Sequence, residues 1–289
     1  MKKVSANMKK YGKRKIFALC AIFLTLALIG YLVWGNLAIQ VTEYSVSSDR
    51  LPKSFSGFRI AQVSDLHNAE FGQDNQRLLD KLRAAEPDII VLTGDLIDSR
   101  RTDLEVSLTF AKNAVKIAPT YYIPGNHEAR ISGLDEFYDV LQNAGVDLLL
   151  DESIIFQIGT EEIQLSGIID PMFRIGNSEK LTNEVIQSFT ESDGMYSILL
   201  SHRPEYFDAY AASNADLVLT GHAHGGQFRL PFVGGLYAPE QGFFPKYDAG
   251  LFFQNGTTMI VSRGLGNSLF PVRFNNAPEL VLVTLQCDK

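Results

Sequence analysis

Read from its N-terminus, the chain opens with an apolar run. Ile16–Trp34 (IFALCAIFLTLALIGYLVW) carries no charge over nineteen positions, and the next charged residue is Glu43. As a helix the run would span about 28 Å, close to the thickness of a bilayer's hydrocarbon core. Tyr31 and Trp34 stand at its far end, where aromatic residues collect at membrane interfaces. Beyond a short linker, apolar runs alternate with amphipathic stretches. Phe58–Val63 reads as a buried strand, and Gln73–Glu86 as a helix stopped by Pro87. Asp88–Thr93 follows as a second strand, Leu104–Ile117 as a helix closed by Pro119, and Tyr121–Ile123 as a short strand. Continuous apolar strands between helices predict a sheet covered on both faces. From Leu148 to Ile169 the pattern turns to paired strands around Gly159-Thr160, and a further helix fits Glu179–Phe189. Ser197–Leu200 and Leu217–Thr220 are again buried strands, and the last forty residues are strand-rich. No internal repeat or flexible linker divides this body. The expected organisation is a segment 1–15, a membrane span 16–34, a linker 35–54 and one α/β domain over 55–289.

Charge changes the picture at the N-terminus. Seven basic residues and no acidic one fall within positions 1–15, leaving 19 basic against 33 acidic residues thereafter. The positive-inside rule then keeps residues 1–15 cytoplasmic and sends the body outside. The expectation is a single-pass signal anchor in the cell membrane with an extracytoplasmic domain. A cleaved signal peptide is the competing reading, but its apolar segment is usually only about 7–15 residues long. No clear Ala-x-Ala site follows the run. A body this acidic repels a nucleic-acid backbone, so no nucleic-acid partner is expected, and no obligate protein partner is evident. Cys20 and Cys287 lie at opposite ends of the chain, which argues against a disulfide framework or a thiolate metal site.

Candidate chemistry enters with the histidines. The chain has only five, His67, His127, His202, His222 and His224, and each follows the carboxyl end of an expected strand. That edge is where open α/β sheets bind ligands. Asp65, Asp95, Asp98 and Asn126 stand beside them. An isolated Asp-x-His or Gly-Asp is weak evidence, and a lone histidine is usually a satisfied core residue; five together are harder to explain so. The set Asp65, His67, Asp95, Asn126, His202, His222 and His224 combines imidazole and carboxylate without thiolate, which suits Mn²⁺, Fe or Zn²⁺. It is too large for one tetrahedral ion and fits two divalent ions with one carboxylate bridging. A two-metal clamp of this kind serves in-line attack on phosphorus.

The ordered motifs Asp65-x-His67, Gly94-Asp95-x-x-Asp98, Gly125-Asn126-His127-Glu128, His202 and Gly221-His222-x-His224 resemble those of the calcineurin-like metallophosphoesterases. The resemblance runs from about residue 55 to the C-terminus. Gly221–Gln227 (GHAHGGQ) and Val261–Asn267 (VSRGLGN) are similar to the membrane-anchored bacterial YkuE-like branch. It implies a four-layer αββα sandwich with the metals at one edge of two sheets. It further implies that Asp65, His67, Asp95 and His224 hold one ion, and Asp95, Asn126, His202 and His222 the other. Mn²⁺ is the ion expected to serve in vitro. His127 would act on the phosphoryl group, oriented by Asp98. Arg203 reads either as a phosphate contact or as a surface salt bridge.

Eight of the chain's 31 aromatic residues fall between Phe228 and Phe253, among prolines and glycines that argue for an irregular loop. This stretch either lines the site's entrance for a lipid-bearing phosphodiester or pyrophosphate, or packs the core of a second sheet. Two alternatives to a phosphodiesterase stay open: a phosphomonoesterase using the same site, and a non-catalytic scaffold on the same fold.

Overall fold

The computed structural model describes residues 2–189, 194–268 and 270–288, with side chains from Arg14 onward; the side chains of Lys2, Lys3, Lys9, Lys10 and Lys13 in the basic segment lie outside it. The first helix, α1, runs Lys2–Leu37, and its stretch Arg14–Leu37 is long and apolar enough to cross a membrane.

The chain then enters a sheet sooner than its pattern announces. Within the stretch 35–54, read from sequence as a linker, β1 (Gln40–Ser48) forms a strand. Only Val46 on it is fully buried, so polar side chains hide it as an edge strand in the sequence. Next come β2 (Arg59–Val63), α2 (Gln76–Ala85), β3 (Ile89–Thr93), α3 (Leu104–Ala114), β4 (Thr120–Ile123), α4 (Leu134–Asn143) and β5 (Val146–Leu148). The hairpin β6 (Glu152–Ile158) and β7 (Glu161–Gly167) turns at Gly159-Thr160. It is followed by α5 (Ser178–Ser188), β8 (Tyr196–Leu200), α6 (Phe207–Ala212) and β9 (Leu217–Thr220). Two small hairpins come next: β10 (Arg229–Leu230) with β11 (Gly234–Gly235), and β12 (Tyr237–Ala238) with β13 (Gly242–Phe243). The chain closes with β14 (Gly250–Gln254), β15 (Thr257–Val261) and β16 (Glu279–Cys287).

The two large sheets have the orders β1-β16-β2-β3-β4-β5 and β14-β15-β9-β8-β7-β6. β2 to β5 are parallel, as are β7, β8, β9 and β15. Along β2 and β3 the side chains alternate between two interiors. Ile60 and Val91 meet Leu165, Ile198 and Leu219 between the sheets. Ala61, Ile90 and Leu92 face Leu78 and Leu82 of α2, Phe110 of α3 and Phe137 of α4. On the far side, Leu199, Val218 and Met259 pack against Ile186 of α5 and Phe207 and Tyr210 of α6. Helix, sheet, sheet, helix is the four-layer αββα sandwich expected from sequence. Each fully buried aliphatic or aromatic side chain in these interiors contributes about 1.5–3 kcal/mol, which holds the sheets face to face. Buried Gln62 stitches them at one end, donating to Thr93 Oγ1 at 3.0 Å and to the Thr220 carbonyl at 2.9 Å. Beyond that stitch the carboxyl ends of β2, β3, β8 and β9 open into loops on the same edge.

Candidate metal centre

The ligand and catalytic candidates singled out by sequence lie in those loops and in the one after β4. Asp65 and His67 follow β2, Asp95 and Asp98 follow β3, Asn126 and His127 follow β4, His202 follows β8, and His222 and His224 follow β9. All nine are buried. Tight approach of the loops requires glycine at two places: a Cβ on Gly94 would meet the Gly125 backbone and the His202 ring, and one on Gly125 would meet the Asp95 carboxylate. The backbone is also strained where it matters. Asp65, His67, Asp95, His222 and His224 all have φ between 46° and 66°, the left-handed region that non-glycine residues avoid. Such residues cost about 1–3 kcal/mol each and cluster at functional sites.

Two groups of donor atoms converge. His67 Nε2 lies 3.2 Å from His224 Nε2, and His224 Nε2 lies 3.4 Å from Asp65 Oδ1. In the second group, His222 Nδ1 lies 3.2 Å from His202 Nε2, which is 3.3 Å from Asp95 Oδ2. The same Asp95 oxygen is 3.5 Å from His67 Nε2, so Asp95 stands between the groups. Ligands of one ion at about 2.1 Å would be separated by about 3.0–3.4 Å, which these spacings match. Asn126 Oδ1 is buried and has no hydrogen-bond partner, an acceptor the fold leaves unsatisfied. An unpaired buried acceptor is costly unless something binds it. The donor chemistry therefore fits divalent ions.

The outer partners hold these atoms in place. The Asp65 carboxylate accepts from Ser64 Oγ at 2.6 Å and from the His222 N–H. Asp95 Oδ1 accepts from the His127 N–H at 2.8 Å, which turns Oδ2 toward the imidazoles. His202 Nδ1–H donates to the Thr93 carbonyl at 2.8 Å, leaving Nε2 free to ligate. His222 Nε2 meets Glu240 Oε2 at 2.7 Å, a carboxylate behind a ligating imidazole. Behind His224 stands a cation instead: the buried Arg273 guanidinium lies 3.4 Å from Nδ1. Glu128 accepts from the Asp95, Ile97 and Gly125 N–H groups at 2.9, 3.2 and 2.8 Å, tying the β3 loop to the β4 loop.

Charge follows burial and neighbours. Burial lowers His67 to about 3 and holds His127 and His224 below the ordinary histidine range. Burial also pulls His202 down, but the Asp95 carboxylate overcomes it and lifts the imidazole to about 10. For Asp95 burial pushes up, and the charge of His202 carries it well below the usual carboxylate range.

His127 stands beside the donor groups, its ring centroid 4.5 Å from that of His67. Its Nδ1 accepts from the Ser99 N–H at 3.0 Å, while Asp98 Oδ1 is 3.5 Å away. A backbone N–H can only donate, so Nδ1 carries the lone pair and Nε2 the proton. A cavity of about 260 Å³ opens here, lined by Asp95, Asn126, His127, His222 and His224 together with Arg100, Arg130, Glu240 and Ser268. Arg203 makes its salt bridge in the interior and not at the surface. It is buried against Asp170 at 2.7 and 3.1 Å and reaches Glu240 at 3.3 Å. Arg100, Arg130, Ser99 and Glu240 had no signal in the sequence. The first three sit among ordinary loop residues, and Glu240 lies in an aperiodic stretch far from the residues it supports. The aromatic stretch divides between its two readings: Tyr247 and Phe252 pack the second sheet's outer core, while Phe232, Phe243, Phe244 and Phe253 are exposed.

Comparison with known proteins agrees. The sequence profile of the calcineurin-like phosphoesterases matches residues 58–226. The chain is 29% identical over 254 residues to the uncharacterized metallophosphoesterase YkuE of Bacillus subtilis, covering 86% of each chain. It is 25% identical over 240 residues to the phosphodiesterase YaeI of Escherichia coli, covering 79% of this chain and 82% of that one. In fold it is similar to TT1561 of Thermus thermophilus, with a TM-score of 0.50 at 12% identity over 73% of this chain and 91% of that structure.

Proposed function

The chain belongs to the calcineurin-like phosphoesterases, and on that premise we propose that it cleaves phosphodiester or pyrophosphate bonds of a lipid-linked substrate at the outer membrane face. It is a metal-dependent phosphoester hydrolase. The observation that carries the reading is Asp95, whose one oxygen faces His67 of one donor group and His202 of the other. Asp65, His67, Asp95 and His224 would hold one divalent ion, and Asp95, Asn126, His202 and His222 a second, as Mn²⁺, Fe or Zn²⁺. Bound there, two ions supply positive charge for the phosphoryl oxygens and acidify a water for in-line attack.

The chain's own residues do the rest. His127 is outside both donor groups' ligand sets, keeps its proton on Nε2 and borders the cavity. Through that N–H it can hydrogen-bond a phosphoryl oxygen or the leaving oxygen and stabilise the negative charge that develops there. The Ser99 N–H fixes the ring's orientation, and Asp98, which accepts from the Arg100 N–H and the Arg101 guanidinium, stands beside the ring without a hydrogen bond to it. Arg100 and Arg130 border the same cavity and offer guanidinium groups to a second phosphoryl group, as a pyrophosphate presents. Exposed phenylalanines near the cavity and the apolar helix α1 support a lipid-linked substrate. By the positive-inside rule, the basic residues before the span support a domain on the outer side. The same two arginines also suit a monoester dianion, which makes a phosphomonoesterase the second reading.

The test uses the full chain, stripped of metal and reloaded with Mn²⁺, acting on a chromogenic phosphodiester and its monoester. Diester hydrolysis should require the ion, and His127→Ala should lower it by about 10²–10³-fold with the ions still bound. Faster monoester than diester turnover would favour the second reading. An undiminished His127→Ala would remove His127 from the chemistry.

A further inference from the structure

The last turns of α1 are fastened to the rim of the cavity. Asn36 Oδ1 accepts from the Arg273 N–H at 2.9 Å and from Asn267 Nδ2 at 3.1 Å. Six residues before Leu37, Tyr31 meets Phe274 edge-on, with ring centroids 5.8 Å apart. Phe274 is thereby held about 9 Å along the helix axis from its end. From Phe274 the contacts pass to the first hairpin. Phe274 forms a bridge with Phe228, and the Arg229 N–H donates to the Phe274 carbonyl at 3.0 Å. The Phe228 ring packs on Phe270, which with Tyr237 and Ser268 lines a small cleft beside His224. Helix end, hairpins and site therefore share one edge of the molecule.

That edge is apolar and built at a cost. Phe232 is fully exposed, Phe243 is 72% exposed, Phe244 60% and Phe270 51%. Phe232 and Phe244 have φ of 67° and 55°. A bulky side chain in the left-handed region is a backbone outlier, and glycine or asparagine would fold more easily there. Turn geometry thus carries two strained phenylalanines, one fully exposed and one mostly exposed.

We propose that Phe232, Phe243, Phe244 and Phe270 sit in the membrane interface beside α1, so that the site opens directly onto the lipid surface. The occupant is the bilayer, because the rings continue from a helix that itself has the length and composition of a span. Tyr31, which holds Phe274, stands with Trp34 near the end of the apolar run, where aromatic rings partition into the interface. The proposal rests on reading α1 as a membrane span and deepens the choice of a lipid-linked substrate. It is independent of whether the site cleaves phosphoesters.

Trp34 is the chain's single tryptophan, so brominated lipids can read depth residue by residue. The full chain would be reconstituted in phosphatidylcholine vesicles with and without bromine on the upper acyl chain. Quenching of native Trp34 checks α1. In a Trp34→Phe background, Phe232→Trp and Phe244→Trp report the rim, and Ile155→Trp reports an exposed site on β6, an edge strand of the second sheet. The rim tryptophans should lose about half their emission, as rings about 5–10 Å into the interface would, while Ile155→Trp stays bright. Rim tryptophans no more quenched than Ile155→Trp, with Trp34 quenched, would overturn the rim. An unquenched Trp34 would overturn the reading of α1 and the rim with it.

Discussion

His202 shows how single side chains are set before any ion arrives. Burial disfavours its charged form, yet Asp95 Oδ2 at 3.3 Å wins and lifts the imidazole to about 10. At pH 8 the metal-free ring is therefore protonated, and ligation requires it neutral. His67 and His224 are already neutral, since burial holds both below the ordinary range. Metal loading at pH 8 should release one proton from His202, and affinity should rise with pH until that proton is gone, near 10. Calorimetric titration in two buffers of different ionisation enthalpy measures the release. A value near zero would contradict the pairing of His202 with Asp95. Most of these residues were legible in the sequence because histidine is rare in this chain and every copy follows a strand. Glu240 and Arg273 were not. They reach His222 and His224 from loops without periodicity, and nothing in their spacing ties them to the imidazoles they support.

Elements matter here through their carboxyl ends. β3 and β4 are neighbours in register, so their loops emerge side by side and one buried carboxylate can bind both. Glu128 does so with three N–H groups, and Glu128→Ala would leave three buried donors without acceptors. At about 1 kcal/mol or more for each, stability should fall by about 3 kcal/mol, or about 6–12 °C in thermal midpoint for a domain of this size. Glu128→Gln, which keeps one acceptor, should lose less. A midpoint for Glu128→Ala within about 2 °C of wild type would show that the loops hold without the tie. Buried strands such as β2, β3, β8 and β9 were legible because both their faces are apolar. β1 was not, because an edge strand buries little, and α4 was missed because neither a capping side chain at its start nor a proline after its end marks it.

Over the whole molecule, the two sheets are needed together. β2, β3 and β4 bring Asp65, His67, Asp95, Asn126 and His127, while β8 and β9 bring His202, His222 and His224. Gln62 and the apolar interior between the sheets hold those halves in register, and Asp95 joins them chemically. A covered α/β sheet could be read from the order of strands and helices, and the four-layer sandwich from the resemblance of the motifs; the placement of the two small hairpins against the end of α1 could not. That placement depends on contacts between Asn36 or Tyr31 and residues more than two hundred positions away. The account turns on one arrangement, two ions sharing Asp95. Crystals of the full chain soaked in Mn²⁺ and measured at the manganese edge would test it directly. Two anomalous peaks about 3.5–4 Å apart, flanking Asp95 with Asn126 Oδ1 on one of them, are the expected result. A single peak, or two that do not share Asp95, would contradict it.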